Sequence, residues 1–462
     1  MRSRARYAAF GLSGALLGAP LLVSPAAAAP GTLVVERGGP ARTLRFTAGH
    51  AGEAVIGFTA AAPGVSWARK GAEAAVVSFS VDGRHVTDLV VPSADGVARS
   101  LGLGPVGPGA HTVTLRFARG SAPAARRVVL TRPAVRLPGG DQAVLRHAPV
   151  VVGRTGWPFG DPYQNARTDT PLVAWHESRP AAGGHRVLEY SLVWSNEDGG
   201  TDTPALMSRW GRSTDIEWVY RVEVDAAGRR VPDTGVYQAP LHQTLRFTGR
   251  YEGDHPVLQT CTDNNNMCDV VSPNAPLRFL PDASATRPAD RAREVIMDRN
   301  PWTYRVAAQE LVREGKIEKR PDPATKAVGD PRTYLFVEYT RTAGAATGQG
   351  SAPGVALGVR LKADPSRLYR SDHGDRSVAI DRDGAVATTV ELPAGTSVGD
   401  IASVEALRTP VGSGDNGAPV TVTSVHRGFF LDRAYLPRPS AIRWTGAATL
   451  TGARPTAVLW RN

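Results

Sequence analysis

The sequence predicts a mostly β chain: an N-terminal β-sandwich, then a larger β-sandwich domain with one inserted helical hairpin. Three observations predict it. Short segments alternate apolar and polar residues, as in Val76 to Val81 and Thr112 to Phe117, which is the period of a strand with one buried face. Turn signals separate such segments at short intervals: Asp82-Gly83, Asp95-Gly96 and Gly107-Pro108-Gly109. Only one stretch, 287–315, carries convincing helical spacing. With 462 residues, 42% of them hydrophobic, the chain can fill two or three cores. Its 49 Gly and 36 Pro lie above the soluble average and below the disordered or collagen-like range.

In chain order, residues 1–29 are expected to be a secretory signal peptide. Arg2, Arg4 and Arg6 form a positive start, Tyr7 to Val23 are apolar or small, and Ala26 to Ala29 offer small-residue cleavage sites. A signal anchor is the alternative. The expected location is extracellular, and no later stretch is apolar and long enough to span a bilayer. The net charge of +11 comes from 54 Lys and Arg against 43 Asp and Glu. These basic residues are scattered, with runs no longer than pairs such as Arg229-Arg230. A nucleic-acid binder gathers its cations into a stripe, so no nucleic-acid partner is expected.

Residues 30–135 read as the first sandwich, 136–143 as a Pro/Gly-rich linker, and 144–462 as the main β domain, with a further division open near 320–350. Leu188, Tyr190, Leu192 and Trp194 are expected on one strand face, and Ile216, Trp218, Tyr220, Val222 and Val224 on another. In the hairpin 287–315, Asn300 is the expected N-cap, Pro301 suits the first helical position, and Gly315 suits the position past the end. Trp302, Val306, Ala307 and Leu311 then share a helical face that packs on the sheet, a structural role. Tyr334 to Tyr339, Val355 to Leu361, Ser377 to Ile380 and Ala385 to Leu392 read as strands, and Asp381 to Gly384 as a turn.

The two cysteines, Cys261 and Cys268, are expected to form one disulfide around Asp263 to Asn266. Two readings of the nearby polar residues stay open. In the first, Asp215 and Glu217 project from one strand face about 7 Å apart and meet His255, Asp263 or Asn264. Asp215, Glu217 and His255 would then supply general acid and base, or Asp215, Glu217 and Asp263 would hold a divalent cation such as calcium, with Asn oxygens as neutral ligands. In the second, the acids are the wet face of an ordinary strand and the Asn run is a turn. The chain has no nucleophile elbow, no zinc-binding helix motif and no phosphate-binding loop.

Three resemblances add expectations. The segments Ser78 to Gly83, Asp88 to Val91 and Gly109 to Phe117 resemble jelly-roll carbohydrate-binding modules. That resemblance implies a glycan site on the first sandwich, for which an exposed Trp67, Arg84 and His85 are candidates, with Asn264 a binding candidate in the disulfide loop. Alternatively, Trp67 is core. Arg146 to Val152, Asp215 to Glu217 and His255 to Val257 follow the order of motifs in the vacuolar protein sorting-associated protein sixty-two family, which residues 146–270 resemble distantly. Here Arg212 to Thr214 and Asp263 to Asn265 stand where that family has His-Glu and Gly-Ser-His. The chain is also similar to a group of secreted actinobacterial proteins. The leading expectation is recognition of an extracellular or cell-wall polysaccharide. The alternatives are a metal-assisted polysaccharide hydrolase or lyase, and an adhesive surface protein without a ligand.

Overall fold

The computed structural model describes residues 31–155, 161–197, 202–319, 325–412 and 414–462. The expected signal segment 1–29 lies outside the described residues. The chain is mostly β, with six sheets and four α-helices among the described residues.

The first sandwich pairs a sheet ordered Thr32–Glu36, Arg127–Arg136, Gly52–Ala61, Val97–Val106 with one ordered Arg42–Ala48, Gly109–Phe117, Ala75–Val81, Arg84–Val91. Its core holds Ile56, Phe58, Val77, Phe79, Leu89 and Leu115, with Phe58 stacked on Phe79 at 5.8 Å. The strand Ala75–Val81 departs from simple alternation: its first three residues are all buried. Val77 and Phe79 face the sandwich core, while Val76 and Val90 belong to the core of the neighbouring module. A sheet covered on both faces needs an apolar run instead of an alternating one, which explains Ala74-Ala75-Val76-Val77.

The middle module has a five-stranded antiparallel sheet in chain order: Pro171–Pro180, Arg186–Trp194, Ile216–Val224, Val236–Ala239, Gln243–Arg246. A second sheet runs Tyr251–Glu252, His255–Thr260, Val150–Val152, Arg278–Phe279, with Met267–Cys268 on its flank. The segment expected as a linker is tied down on both sides. The helix Gln142–Arg146 begins inside it, and its N-cap Asp141 accepts from the Ala143 amide at 3.2 Å and pairs with Arg186. Gln142 Oε1 accepts from the Glu53 amide at 2.8 Å.

The expected hairpin 287–315 is shorter than its sequence signal, with helices Val295–Arg299 and Trp302–Glu314. Upstream, Arg287 pairs with Glu177 and Thr286 bridges His176, so that segment follows the sheet edge instead of coiling. Asn300 does not cap the second helix: its Nδ2 donates to the Ile296 carbonyl at 2.9 Å, closing the first. Gly315 does end the second helix, at φ 68°. A further helix, Thr203–Trp210, was hidden in sequence among polar residues.

The C-terminal residues build another sandwich with its own core, including Leu335, Val337, Val355, Leu357, Val404 and Val422. One sheet is ordered Gly384–Glu391, Tyr334–Ala343, Val420–Phe429, Trp444–Leu450, and the other Asp364–Arg370, Gly354–Leu361, Ile401–Thr409, Thr456–Arg461. The helix Trp302–Glu314 touches all three modules. Tyr304 packs edge-on against Phe336 and Phe429 at 5.7 and 5.8 Å, and Glu310 accepts from Trp67. Among the described residues no helix is long and apolar enough to cross a membrane.

Candidate functional site

The disulfide forms, with the Cα atoms of Cys261 and Cys268 5.8 Å apart. Its loop is shaped from within. Thr262 Oγ1 accepts from the Asn266 amide at 2.9 Å and donates to Asn264 Oδ1 at 2.7 Å, and Asn265 takes the left-handed conformation at φ 58°. This turn sends Asn265 inward. Its Nδ2 donates to Asp215 Oδ2 at 3.1 Å and to the Asn196 carbonyl at 3.2 Å. The loop thus meets Asp215 as the first reading required, but through Asn265, one residue beyond Asn264 and two beyond Asp263. Asn264 instead faces His242 at 3.5 Å, and Asp263 is half-buried with no bond to Asp215.

His255 does not join this cluster. Its Nδ1 pairs with the Ala148 carbonyl at 2.8 Å and its Nε2 with Glu53 of the first sandwich at 3.2 Å. Its strand pairs in parallel with Val150–Val152 in the second sheet, whereas Asp215 precedes a strand of the first. Among the described residues no group of three or more His, Cys, Asp and Glu could hold a metal ion, so the set Asp215, Glu217, Asp263 is not assembled as a calcium site. The expected acid–base set Asp215, Glu217, His255 is likewise split.

Trp218 is also displaced from expectation. A bulge opposite Tyr190 and Ser191 inserts one residue, so Val219 and Tyr220 are both buried while Trp218 is half-exposed under the Arg221 guanidinium at 4.6 Å. Asp215 itself is buried. Burial first, then the Glu217 and Glu197 charges, push its carboxyl well above the usual range against the pull of Arg212 and Asn265. A raised folded value means that its contribution to stability is complete below 3.8 and is lost as pH rises from there to the raised folded value. Asp215→Asn should therefore cost little near neutral pH, within about 1 kcal/mol, and should flatten the loss of stability as pH rises above 3.8. Urea melts of both proteins at several pH values check this, and a steeper loss with rising pH in the variant overturns it.

On the first sandwich, Trp67 is wholly buried, which removes it from any glycan surface. Its Nε1 donates to Glu310 Oε2 at 2.7 Å, and the Arg313 guanidinium lies 5.0 Å over its ring. The strand-rich sequence around it concealed a second apolar face, which draws the indole to the seam. Arg84 is exposed and His85 half-buried, its Nε2 3.0 Å from Asp88.

A larger concavity lies elsewhere. A groove of about 680 Å³ runs between the helix Thr203–Trp210 and the C-terminal sandwich, beside the edge strand Asp364–Arg370. The helix is seated by Thr388 Oγ1, which donates to the Ser208 carbonyl at 2.6 Å, and by Thr389 Oγ1, which donates to the Met207 carbonyl at 2.9 Å. Gly211 then turns at φ 62°, where a Cβ would lie 2.8 Å from the Thr388 nitrogen, so only glycine allows this approach.

The groove wall carries planar and charged groups together. The Arg367 guanidinium lies 4.7 Å over the Tyr369 ring. Arg370 grips Asp372 through two bonds of 2.8 and 2.7 Å. His373 sits at φ 48°, and burial pulls its imidazole below the ordinary value. Across the groove, burial raises the Glu391 carboxyl, with Glu318 adding to the rise and Tyr334 opposing it. Such a wall offers a stacking face, cationic donors and carboxylate acceptors within one concavity. Sequence reasoning missed all of these residues. The signal was present in Arg367 to Asp375, where an aromatic, two arginines, two aspartates and a histidine crowd one edge strand and its turn.

No family model matches the chain, and no curated protein matches it, so the resemblance of residues 146–270 gains no support there. Solved structures overlap parts of the chain. A ruminal GH26 endo-beta-1,4-mannanase is 9% identical over 32% of this chain and 28% of that one, with a TM-score of 0.19. The sugar-binding EclA C-terminal domain is 15% identical over 26% of this chain and 84% of that one, at 0.17. The Podospora anserina GH26-CBM35 beta-(1,4)-mannanase is 14% identical over 27% of this chain and 34% of that one, at 0.16. The chain thus spans about a quarter of the first mannanase, and overlaps this partial assign nothing to the groove.

Proposed function

We propose that the chain is a secreted, multi-domain protein that binds an extracellular or cell-wall glycan, and that the groove beside Tyr369 is where it does so. The observation that carries this reading is the joining of the Arg367–Tyr369 stack with Arg370, Asp372 and Glu391 around about 680 Å³. Sugars present an apolar ring face and a rim of hydroxyls. They are held by an aromatic plane with charged groups that donate and accept at its edge. Glycan-array binding followed by calorimetry on any polysaccharide fragment that binds tests the reading. Tyr369→Ala should weaken binding roughly tenfold, the equivalent of about 1.4 kcal/mol, with the melting curve nearly unchanged because Tyr369 lies on a partly exposed edge strand. Absence of binding across the array, or equal binding by wild type and Tyr369→Ala, overturns it.

Hydrolysis is the second reading, favoured by one observation: Glu391 has a raised carboxyl in the groove wall, as a general acid needs. Release of reducing ends from a bound polysaccharide, lost in Glu391→Gln, would move the protein from binder to enzyme.

A further inference from the structure

We propose that a second cleft, at the seam between the first sandwich and the middle module, is a binding site for a small carboxylate held by Arg99 and Trp302. The cleft encloses about 180 Å³ and is lined by Arg99, Ser100, Val173, Asp282, Asn300 and Trp302 among others. At a liquid-water share of about 30 Å³ each, that is space for roughly six waters, the scale of one acidic monosaccharide or a small organic acid.

The donors of this cleft are left over. Arg99 projects from the strand Val97–Val106, and its guanidinium lies 4.7 Å over the Trp302 indole. One nitrogen, Nη1, donates to the Val90 carbonyl at 3.2 Å. Among the described residues no carboxylate pairs with it, and burial alone pulls it down to about 10. Arg99 is half-buried, and it shares this state with Arg382, which lies 3.6 Å over Trp210 with no carboxylate among the described residues. Other guanidiniums of the interior are paired, Arg154 with Asp169, Arg212 with Glu294, Arg313 with Glu310, and Arg427 with Glu338. The indole Nε1 of Trp302 is buried without an acceptor among the described residues. A buried donor without a partner costs free energy, so the site gains when an acceptor arrives.

The acids that line the cleft are already engaged and do not compete for Arg99. Asp282 accepts from Ser100 at 2.6 Å, from the Ser284 amide at 3.0 Å and from Arg136 at 3.3 Å. Asp88 accepts from Ser78 at 2.5 Å, from His85 at 3.0 Å and from the Arg278 amide at 2.9 Å. What remains is a planar fork of guanidinium N–H groups and one indole N–H, all donors. Their complement is a planar group with two acceptor oxygens and a negative charge, which is a carboxylate. The site stands apart from the glycan groove and does not depend on it.

Glucuronate, glucose and inorganic phosphate, titrated separately into the full chain and followed by tryptophan fluorescence and by melting temperature, test the proposal. Glucuronate should bind and raise the melting temperature, and glucose should not. Arg99→Gln should weaken glucuronate about tenfold or more, as loss of a charge-assisted bidentate contact does. Trp302→Phe, which keeps a ring and removes the N–H, should weaken it less, and Tyr369→Ala should leave it unchanged. Failure of glucuronate to bind, equal binding by Arg99→Gln, or binding of phosphate in preference to glucuronate overturns the carboxylate assignment. Loss of binding in Tyr369→Ala would place the ligand in the groove and overturn it as well. Melting curves of the unliganded variants establish that each is folded.

Discussion

Trp67→Ala should be one of the most destabilising single changes in the chain, costing about 3–5 kcal/mol for the lost ring and about 1–3 more for the donor removed from a buried acceptor. Folded domains hold only about 5–15 kcal/mol in reserve, so the variant should melt far earlier or fail to accumulate. The indole is fully buried, yet it belongs to the core of the middle module and not to that of its own sandwich. It donates to Glu310, and Arg313 both covers its face and donates to its carbonyl at 3.0 Å. Burial has already raised the Glu310 carboxyl to about 7, with Glu314 adding to the rise and Arg313 opposing it. A raised folded value means that the contribution of Glu310 is complete below 4.5 and fades as pH climbs through about 7. An N–H donor favours the charged carboxylate, so Trp67→Phe, which keeps most of the ring, should steepen that fade. Denaturant melts of wild type, Trp67→Ala and Trp67→Phe at about pH 5 and pH 8 separate packing from the hydrogen bond. A Trp67→Ala variant as stable as wild type would make the seam a loose contact, and the indole available for binding after all.

Trp67 also shows where sequence reading stops. Alternation and turn signals marked the strands Ala75–Val81 and Gly109–Phe117 of the first sandwich because each carries its own evidence. Nothing local records that the outer face of Ala75–Val81 is covered by residues more than sixty positions later, except the apolar run itself. The disulfide and its approach to Asp215 were legible, since a pair of cysteines seven apart has one partner each. The residue making the contact was not, because the left-handed turn at Asn265 decides which of three asparagines reaches Asp215. The expected meeting of His255 with Asp215 across a sheet does not form, because His255 lies on a different sheet from the strand that Asp215 precedes, and pairs with Glu53. Trp218 lost its core position to a bulge, a backbone irregularity that side-chain period cannot reveal. The groove was invisible because it forms between a helix with a weak signal and an edge strand about 160 residues away.

Arg427→Ala should cost about 3–5 kcal/mol at neutral pH, the usual result of removing one partner from a buried charge network. Arg427 is buried on the strand Val420–Phe429 and bridges two acids from different parts of the chain. Its Nε donates to Glu338 at 2.9 Å, and its Nη1 donates to Asp298 at 2.5 Å and to the Tyr304 hydroxyl at 3.2 Å. Glu338 also accepts from Arg291 at 2.8 and 2.7 Å and from the Ala292 amide at 2.8 Å, which holds its carboxyl below the usual value despite burial. Asp298 goes the other way: burial lifts it to about 6, against the pull of Arg427 and Tyr304. The two acids therefore impose opposite slopes. The contribution of Glu338 is present above 4.5 and is lost as pH falls through its lowered folded value. That of Asp298 is complete below 3.8 and is lost as pH rises through about 6. Without Arg427, Asp298 rises further and can shed its charge only by taking a proton. The deficit of Arg427→Ala should thus be larger at about pH 8 than at about pH 5, and Asp298→Asn in the same background should recover part of it at the higher pH. Paired melts at the two pH values decide the matter. A deficit that does not change with pH would mean that the guanidinium over Phe429, 4.9 Å from the ring centroid, supplies the stability and the two carboxylates do not.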